Sequence, residues 1–404
     1  MKVTWAAQSD IGRIRSRNED YFLADETMGF YIVCDGMGGH AAGDVASRTA
    51  ATAIQQFLRT NRRAIEEFAP AETMHQREQL AALVASAVQR ACREVFDLSS
   101  RSSYAGMGTT ATLMLIVGNK AVMAHVGDSR LYVARGQAVH QLSHDHNMVA
   151  ELMQRGKPRE QVLRSISAQY LTRAVGTQQS VQVDTLVFDI IPGDTFLLCS
   201  DGLSNYLLDM ELASFMSGPQ VTTEPLIQHA NDRGGKDNIT AILIRIDGGV
   251  TAEAQARANE ITLRIGSLRQ VFLFRELDYE ALIRILDKVS VAVFTPGQAI
   301  LKQGQVNEHF YIVLEGWIRV EREGDSVGTL GCGAHFGEMT LLNGKPREAT
   351  LIAVERTRVL MFSKSQLLSL QHEDPLFAAK LWQAYAVRLS ESLDDRYEQY
   401  IFLQ

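Results

Sequence analysis

Two kinds of hydrophobic pattern alternate along the first 247 residues. The short runs at 30–34 and 195–199 are rich in apolar, β-forming residues, which is typical of strands buried on both faces. Residues 79–96 instead place leucine, valine and alanine along one stripe at helical spacing, and residues 41–58 are rich in alanine. The pattern predicts buried strands with amphipathic helices packed on them.

Acids stand at the ends of these predicted strands. Asp35 ends the run at 30–34, and Asp201 follows the run at 195–199. Asp128 follows the predicted strand at 121–126, and Asp237 lies just before the predicted strand at 239–246. Carboxylates gathered at one edge of a core repel one another unless a cation lies among them, and an all-oxygen cluster suits Mg²⁺ or Mn²⁺. The sequence therefore predicts a divalent metal site.

The pattern changes after Gly248 and Gly249. Residues 251–265 are rich in alanine, glutamate and arginine and predict a linking helix, so a domain boundary is expected here. From 291 to 362, short strands are separated by glycine-containing turns, which indicates a small β-barrel or jelly roll.

One loop of this second half predicts an anion site. A short helix starting near Gly337 would leave free N–H groups, and Arg347 offers a planar fork for two phosphate oxygens. Glu338 can accept hydrogen bonds from sugar hydroxyls. After Pro375 the chain is predicted to be helical, with an apolar stripe that is either core or a dimer seam.

Composition narrows the class of protein. The 404 residues are 46% hydrophobic and 22% charged, as in ordinary globular proteins, and suffice for two or more domains. A net charge of −7 gives no reason to expect nucleic acid or an anionic membrane as partner. The first ten residues lack an apolar signal core and no apolar run is long enough to span a bilayer, so we expect no signal segment and no membrane span. The four cysteines are far apart and suggest no disulfide framework, so we expect a cytoplasmic location.

These motifs together carry two resemblances. Residues 1–247 resemble the bacterial metal-dependent serine/threonine protein phosphatases of the type 2C (PPM) family, and residues 271–404 resemble cyclic-nucleotide-binding domains. A helical linker over 248–270 would join them. The first match rests on Arg15 with Asn18-Glu19-Asp20, Asp35-Gly36-Met37-Gly38-Gly39-His40, Gly106-Met107-Gly108-Thr109-Thr110, Gly127-Asp128-Ser129-Arg130, Cys199-Ser200-Asp201-Gly202 and Asp237-Asn238. The second rests on residues 336–350, which match the phosphate-binding cassette.

The two resemblances together imply an α+β fold, with a four-layer αββα sandwich followed by a β-roll with flanking helices. The first resemblance implies a two-metal hydrolase of phosphoserine and phosphothreonine proteins in which Asp35 bridges both cations. The other implied ligands are Gly36 through its carbonyl, Asp201 and Asp237, with Glu19 and Asp20 holding bound waters, Asp128 belonging to a weak third metal, and Arg15 binding the substrate phosphate.

The second resemblance implies regulation by cAMP or cGMP. Arg347 would bind the cyclic phosphate and Glu338 the ribose, with the other cassette positions at Gly337, Ala349 and Thr350. A homodimer through the C-terminal helix is a further expectation. Two alternatives stay open: a nucleotide-free dimerisation module, or a weakly active phosphoprotein-binding scaffold.

Three positions depart from these families. Asn205 stands where members with a third metal have an aspartate, so we expect that metal to be weak or absent. Met37 replaces the histidine proposed as general acid in eukaryotic members, which leaves that role unassigned, with His40 as one candidate. Glu348 adds a negative charge beside the cyclic phosphate, and can either weaken binding or contact a guanine.

Overall fold

A computed structural model describes residues 2–38, 42–68, 73–100, 104–158, 161–162, 170–248, 251–337, 346–373 and 375–401. The chain divides into two compact units, Met1–Ala254 and Gln255–Gln404. Among the described helices, none combines the length and the apolar character that crossing a membrane requires.

The first unit is built from antiparallel strands and helices. Its strands are β1 (Lys2–Asp10), β2 (Asp20–Asp25), β3 (Phe30–Met37), β4 (Gly108–Thr109), β5 (Ala111–Val117), β6 (Lys120–Val126), β7 (Arg130–Arg135), β8 (Ala138–Gln141), β9 (Asp184–Asp189), β10 (Thr195–Cys199) and β11 (Ile239–Asp247). Its helices are α1 (Gly43–Thr60), α2 (Arg62–Glu67), α3 (Met74–Ser99), α4 (Met148–Gln154), α5 (Asp201–Ser204), α6 (Asp209–Met216) and α7 (Glu224–Asp232). Helix α8 (Ala252–Gln270) follows at the boundary.

The strands form two sheets that pack face to face. One sheet has the order β1-β11-β10-β7-β8 and the other has the order β2-β3-β5-β6-β9, with β4 paired to β3. Aromatic pairs join the two sheets: the ring centroids of Trp5 and Tyr31 are 6.0 Å apart, and those of Phe188 and Phe196 are 5.8 Å apart. Strand β3 is buried on both faces because its sheet lies between the first sheet and a helical layer.

Helices cover the outer face of each sheet. The stripe of α3 predicted from the sequence packs with α1 on the second sheet, in a core that includes Ile54, Val84 and Leu113. Helices α6 and α7 pack on the first sheet around Leu197, Leu226 and Leu243. The layers therefore run helix, sheet, sheet, helix, and the predicted αββα sandwich is confirmed.

The second unit contains a β-roll. Its strands are β12 (Ser290–Phe294), β13 (Ala299–Leu301), β14 (His309–Glu315), β15 (Ile318–Arg322), β16 (Asp325–Leu330), β17 (His335–Phe336), β18 (Thr350–Ala353) and β19 (Thr357–Ser363). They form sheets of order β12-β19-β14-β17 and β13-β18-β15-β16, which enclose a core around Tyr311, Val313 and Val359. Helices α9 (Tyr279–Lys288), α10 (Lys364–Glu373) and α11 (Pro375–Ile401) flank the roll.

The apolar stripe of α11 is divided between core and surface. Leu381 and Tyr385 are buried in the second unit, whereas Leu389 is 51% exposed and Leu393 is 55% exposed. The core interpretation of the stripe therefore holds for its first half. Dimerisation through the second half stays a prediction.

Candidate active site

The predicted acids of the first unit surround one cavity of about 710 Å³. Its wall contains backbone or side-chain atoms of seven of the predicted site residues: Arg15, Glu19, Asp35, Gly36, Asp128, Asp201 and Asp237. The strand ends that carry these residues belong to both sheets, so the cavity lies at one end of the sandwich. Asp20 is the one residue of the predicted metal set that does not line it.

Asp20 lies behind the cavity, between the sheets. It is directly opposite Asp35 in the β2–β3 register, and its Oδ2 accepts hydrogen bonds of 2.7 Å from the hydroxyls of Ser200 and Thr240. Among the described residues, none hydrogen-bonds its buried Oδ1. Burial raises the pKa of Asp20 to about 7, and the hydrogen bonds from Thr240 and Ser200 oppose that shift.

Asp35 and Asp201 are within hydrogen-bonding reach of each other. Burial is the main cause that raises the pKa of each carboxyl, and the surrounding carboxylates add to it, those of Asp20 and Asp128 at Asp35 and that of Asp237 at both. Two buried carboxylates that lie within hydrogen-bonding reach of each other must share a proton or a cation. Oxygen ligands of this kind, together with the unsatisfied Oδ1 of Asp20, fit a hard divalent cation.

Arg15 places a positive charge at the mouth of the cavity. Its Nη2 donates to Oδ2 of Asp237 over 2.7 Å, and its side chain remains 50% exposed. Burial lowers the pKa of the guanidinium, but the charges of Asp237, Asp35 and Glu19 outweigh that effect and raise it. Arg15 therefore stays protonated, while part of its donor set faces the cavity and can reach an anion.

Gly36 and Glu19 connect the acids to the start of α1. The N–H of Gly36 donates to the carbonyl of Glu19 over 3.1 Å, and the carboxyl of Glu19 accepts a hydrogen bond from the N–H of Gly43. A Cβ on Gly36 would lie 2.1 Å from the carbonyl oxygen of Gly43. Glycine is required at position 36 because α1 begins against its backbone.

Contacts with residues 145–147 fix the loop that carries Asp128. Arg130 makes a bidentate ion pair with Asp145, at 2.8 and 2.7 Å. Gly127 donates to Nδ1 of His146 over 3.1 Å and accepts from the backbone N–H of His146 over 2.7 Å. Residues 145–147 therefore fix the position of residues 127–130 through successive contacts.

Asn147 contacts Asp128 itself. Its Nδ2 lies 3.3 Å from Oδ2 of Asp128. Burial raises the pKa of Asp128 to about 7, with the charge of Asp201 as the next contribution. Nδ2 of Asn205 lies 3.3 Å from Oδ2 of Asp201. A neutral amide therefore stands beside Asp201 at the position where the resemblance implies a third-metal acid.

Sequence reasoning assigned no site role to two polar residues that shape the cavity. Thr110 accepts a 2.8 Å hydrogen bond from the N–H of Asp35, and its hydroxyl is 2.7 Å from that of Ser129. Asn238 accepts from the N–H of Glu19 and donates to the carbonyls of Ile11 and Arg17. Both belong to motifs that carry the phosphatase resemblance, which is the one signal that could have identified them.

The predicted nucleotide residues are only partly described. Gly337 lies against Arg347, since a Cβ on this glycine would be 2.8 Å from Nη1 of the arginine. Nη2 of Arg347 donates to the carbonyls of Asn307 and His309 over 2.8 and 2.6 Å, and the residue is buried. Thr350 accepts from the N–H of Gln303, and Ala349 packs on the roll core.

The remaining positions singled out in the sequence are Glu338, His40 and Glu348. Glu338 lies outside the described residues, and so does His40. Glu348 is exposed and pairs with Arg322 at 3.4 Å, on the surface of the roll.

Replacing Gly202 with alanine should destabilise this site. A Cβ there would lie 2.0 Å from the carbonyl oxygen of Asn238 and 3.3 Å from Cβ of Asp237, so the segment that carries Asp237, just before β11, must shift. We expect Gly202→Ala to lower the free energy of unfolding by about 1–3 kcal/mol, as overpacking does, and to reduce activity.

Gly266→Ala is the matched control for this prediction. Gly266 lies within α8, and a Cβ added there would meet open space, so alanine should raise helix stability by up to about 1 kcal/mol. Urea denaturation of both variants measures the contrast. Equal stability of Gly202→Ala and wild type would show that the backbone contact is not tight.

Comparison with known proteins agrees with this geometry. The family model described as "Protein phosphatase 2C" matches residues 13–243, and the model "Cyclic nucleotide-binding domain" matches residues 291–374. The serine/threonine phosphatase stp of Listeria monocytogenes is 34% identical over 248 residues, which are 59% of this chain and 94% of that protein. Protein phosphatase PhpP of Streptococcus pneumoniae is 33% identical over 249 residues, or 59% and 96%.

Solved structures show the same similarity. The Mycobacterium tuberculosis serine/threonine phosphatase PstP/Ppp has a TM-score of 0.54 and 30% identity, over 61% of this chain and 99% of that one. The PstP catalytic domain in complex with two manganese ions has a TM-score of 0.52 and 29% identity, again over 61% and 99%.

The sandwich fold, the acid-lined cavity and these relatives define the first unit as a protein-serine/threonine phosphatase, an enzyme that hydrolyses phosphate esters on proteins. The chain belongs to the protein phosphatase 2C family, and it carries a domain of the cyclic nucleotide-binding type in its second unit. The predicted enzyme class and the predicted two-family organisation are both confirmed.

Proposed function

We propose that this protein is a phosphoserine/phosphothreonine phosphatase that uses two Mg²⁺ or Mn²⁺ ions and is regulated by a cyclic nucleotide. The observation that supports it most is the meeting of Asp35, Asp201 and Asp237 at one cavity, with Arg15 at its mouth. Its substrates are phosphorylated proteins of the cytoplasm, in keeping with the buried free thiols of Cys34, Cys92 and Cys199.

Each acid would have its own role in binding the cations. Asp35 would bridge them, the Gly36 carbonyl would bind one, and Asp201 and Asp237 would complete the other, while Glu19 and Asp20 act through bound water. When bound, divalent cations neutralise the phosphate dianion and activate water as the nucleophile. A third cation beside Asp128 is expected to bind weakly, because Asn205 offers Asp201 an amide donor and adds no carboxylate.

Arg15 binds and orients the substrate. Its exposed guanidinium can donate two hydrogen bonds to phosphate oxygens while Asp237 fixes its position. The same contact would stabilise negative charge on these oxygens as the ester bond breaks. Asp237 therefore serves both the cations and the arginine, which links substrate binding to the loaded site.

The test of this proposal is phosphate release from a phosphothreonine peptide by the full chain. With Mn²⁺ present we expect turnover, and Arg15→Lys should raise KM because lysine cannot form the paired donor contact. Asp97→Asn, an exposed change near the end of α3, is the control for altered charge. Absence of release with Mn²⁺ or Mg²⁺ would favour the scaffold alternative.

Regulation by cAMP or cGMP is supported by the domain match over residues 291–374 and by Gly337 and Arg347 lying in contact. Arg347 is bonded to backbone carbonyls of Asn307 and His309, so phosphate binding must replace or extend these contacts. A coupling free energy of about 1–3 kcal/mol would suffice for a useful switch. The alternative, a nucleotide-free dimerisation module, is favoured by the exposed apolar half of α11.

We expect Arg347→Gln to weaken cyclic nucleotide affinity about 10- to 100-fold, the effect of losing hydrogen bonds between charged groups. Calorimetric titration of cAMP and cGMP into the full chain measures it. Arg322→Gln is the matched control, since Arg322 is exposed and its contact with Glu348 is long. Failure of the wild type to bind either nucleotide would favour the dimerisation module.

A further inference from the structure

The rim of the active-site cavity is positively charged, in contrast to its acidic interior. Residues 11–17 contribute Arg13, Arg15 and Arg17, and residues 233–236 contribute Lys236, and all four of these are exposed. Arg15 and Arg17 take part in lining the cavity itself. This cluster belongs to a chain whose net charge is −7, so it is not a consequence of a generally basic surface.

The two segments touch each other through their backbones. The N–H of Arg13 donates to the carbonyl of Gly235 over 2.7 Å. A Cβ on Gly12 would lie 2.3 Å from the carbonyl oxygen of Asp237, so no side chain fits between the segments. Arg13 and Lys236 are each within one residue of this contact and therefore belong to the same patch of rim.

The arginine loop has a fixed conformation. Nδ2 of Asn238 donates to the carbonyl of Ile11 over 3.0 Å and to the carbonyl of Arg17 over 2.8 Å, so one amide ties both ends of the loop. The N–H of Gly12 donates to Oδ1 of Asp10 over 2.8 Å. A loop anchored in this way presents its side chains with little ordering cost on binding.

Three of the four cations have no acid to balance them. Arg15 pairs with Asp237, but in the described part of the chain neither Arg13, Arg17 nor Lys236 makes an ion pair. Exposed charges of one sign beside a cleft raise the local concentration of ligands of the opposite sign. In the proposed function Arg15 and the bound cations hold the phosphate, so Arg13, Arg17 and Lys236 are free to contact the residues that flank it.

We propose that the rim formed by Arg13, Arg17 and Lys236 binds acidic residues that flank the phosphorylated residue, so that the preferred substrates are phosphopeptides with aspartate or glutamate beside the phosphate. This proposal rests on the proposed function. Because exposed ion pairs are individually weak and two or three act together here, the preference for acidic flanks should be roughly 5- to 10-fold.

Two phosphothreonine peptides that differ only in their flanks, glutamate in one and glutamine in the other, test the rim. We expect kcat/KM of the wild type to be about 5- to 10-fold higher for the glutamate peptide at low salt, and this ratio should fall as salt is added. The double variant Arg17→Glu/Lys236→Glu should bring the ratio to one or below.

Arg63→Glu is the matched control. Arg63 is exposed on α2, beyond the far end of α1, whose 18 residues span about 27 Å. The ratio should stay at its wild-type value in this variant, whereas a long-range effect of net charge would lower it. An equal ratio in the wild type and the double variant would overturn the proposal.

Two further readouts separate this proposal from the proposed function. Fluorescence anisotropy with the full chain compares the affinities of the two peptides without turnover, and equal affinity would overturn the rim assignment. Hydrolysis of p-nitrophenyl phosphate, which has no flanking residues, reports catalysis alone. Its absence with Mn²⁺ would overturn the proposed function and leave the affinity comparison to decide the rim.

Discussion

Asp35→Asn should lose at least about 1,000-fold in kcat/KM for a phosphothreonine peptide, which corresponds to ~4 kcal/mol of transition-state stabilisation. Asp35 interacts electrostatically with the other acids of the cavity, since Asp20, Asp201, Asp128 and Asp237 each raise its pKa in addition to burial. The amide keeps the shape of the side chain but removes the charge that a bridging ligand needs.

The structure also predicts that this variant folds. The N–H and carbonyl of Asp35 are bonded to Thr110, and the substitution leaves both bonds in place. Asp97→Asn is the control, because it removes one exposed charge outside the cavity and should keep wild-type activity. Steady-state kinetics with Mn²⁺ and a circular dichroism spectrum are the measurements. Activity within tenfold of wild type would show that Asp35 does not bridge the cations.

Removal of metal should lower the free energy of unfolding in a pH-dependent manner. Burial raises the pKa of Asp20 and of Asp128 to about 7, and neighbouring carboxylates add to both shifts. In the unfolded chain these groups ionise near pH 4. The contribution of these two groups to the stability of the fold is therefore greatest below about pH 4, where both groups are neutral in either state, and it is lost as the pH rises towards about 7.

In chelator we expect the wild type to be roughly 1–3 kcal/mol less stable at pH 8 than at pH 6, which follows from ~1.4 kcal/mol for each pKa step. Added Mn²⁺ should restore stability at pH 8, because the cation takes over the neutralising role of the protons. Asp35→Asn in chelator should show a smaller drop, since one charge has left the cluster.

Two other groups of the first unit, His125 and Asp184, titrate below this pH range. Burial lowers the pKa of His125 to about 3. Burial tends to raise the pKa of Asp184, but the hydrogen bond and charge of His146 together with the charge of Arg173 outweigh it and lower it. Urea denaturation at the two pH values gives the comparison. Equal stability of the chelated protein at both would contradict the clustering of ionised acids.

The convergence of the acids could be predicted from sequence because the evidence for it is local. Asp35 and Asp201 each follow a short apolar run, and both strands lie in the interior of the fold. The strands of a sandwich end at its edges, so an acid that follows a buried strand is placed at one of these edges. The cavity is therefore largely a consequence of where strands stop.

The position of Asp20 could not be predicted in this way. Its neighbours Ser200 and Thr240 belong to segments of the other sheet, 180 and 220 residues away along the chain. Whether Asp20 faces the cavity or the space between the sheets depends on how the sheets pack, and alternation along β2 alone does not determine it. The burial and the raised pKa of Asp20 follow from this packing.

The contacts of residues 145–147 were also beyond sequence reasoning. A polar loop or helix cap is the ordinary interpretation of His144-Asp145-His146, and Asn147 does cap α4 by accepting from the N–H of Ala150. The contacts of residues 145–147 with residues 127–130 depend on backbone hydrogen bonds between two loops. Such hydrogen bonds leave no periodic pattern in the sequence. Nothing local in the sequence distinguishes such a pairing from two separate solvated loops.

Manganese bound per chain, measured by equilibrium dialysis of the full-length wild type and Asp35→Asn, tests the metal site most directly. Two tightly bound ions in the wild type and their loss in the variant are the expected result. Equal binding by both proteins, or no binding by the wild type, would contradict a cation site built on Asp35.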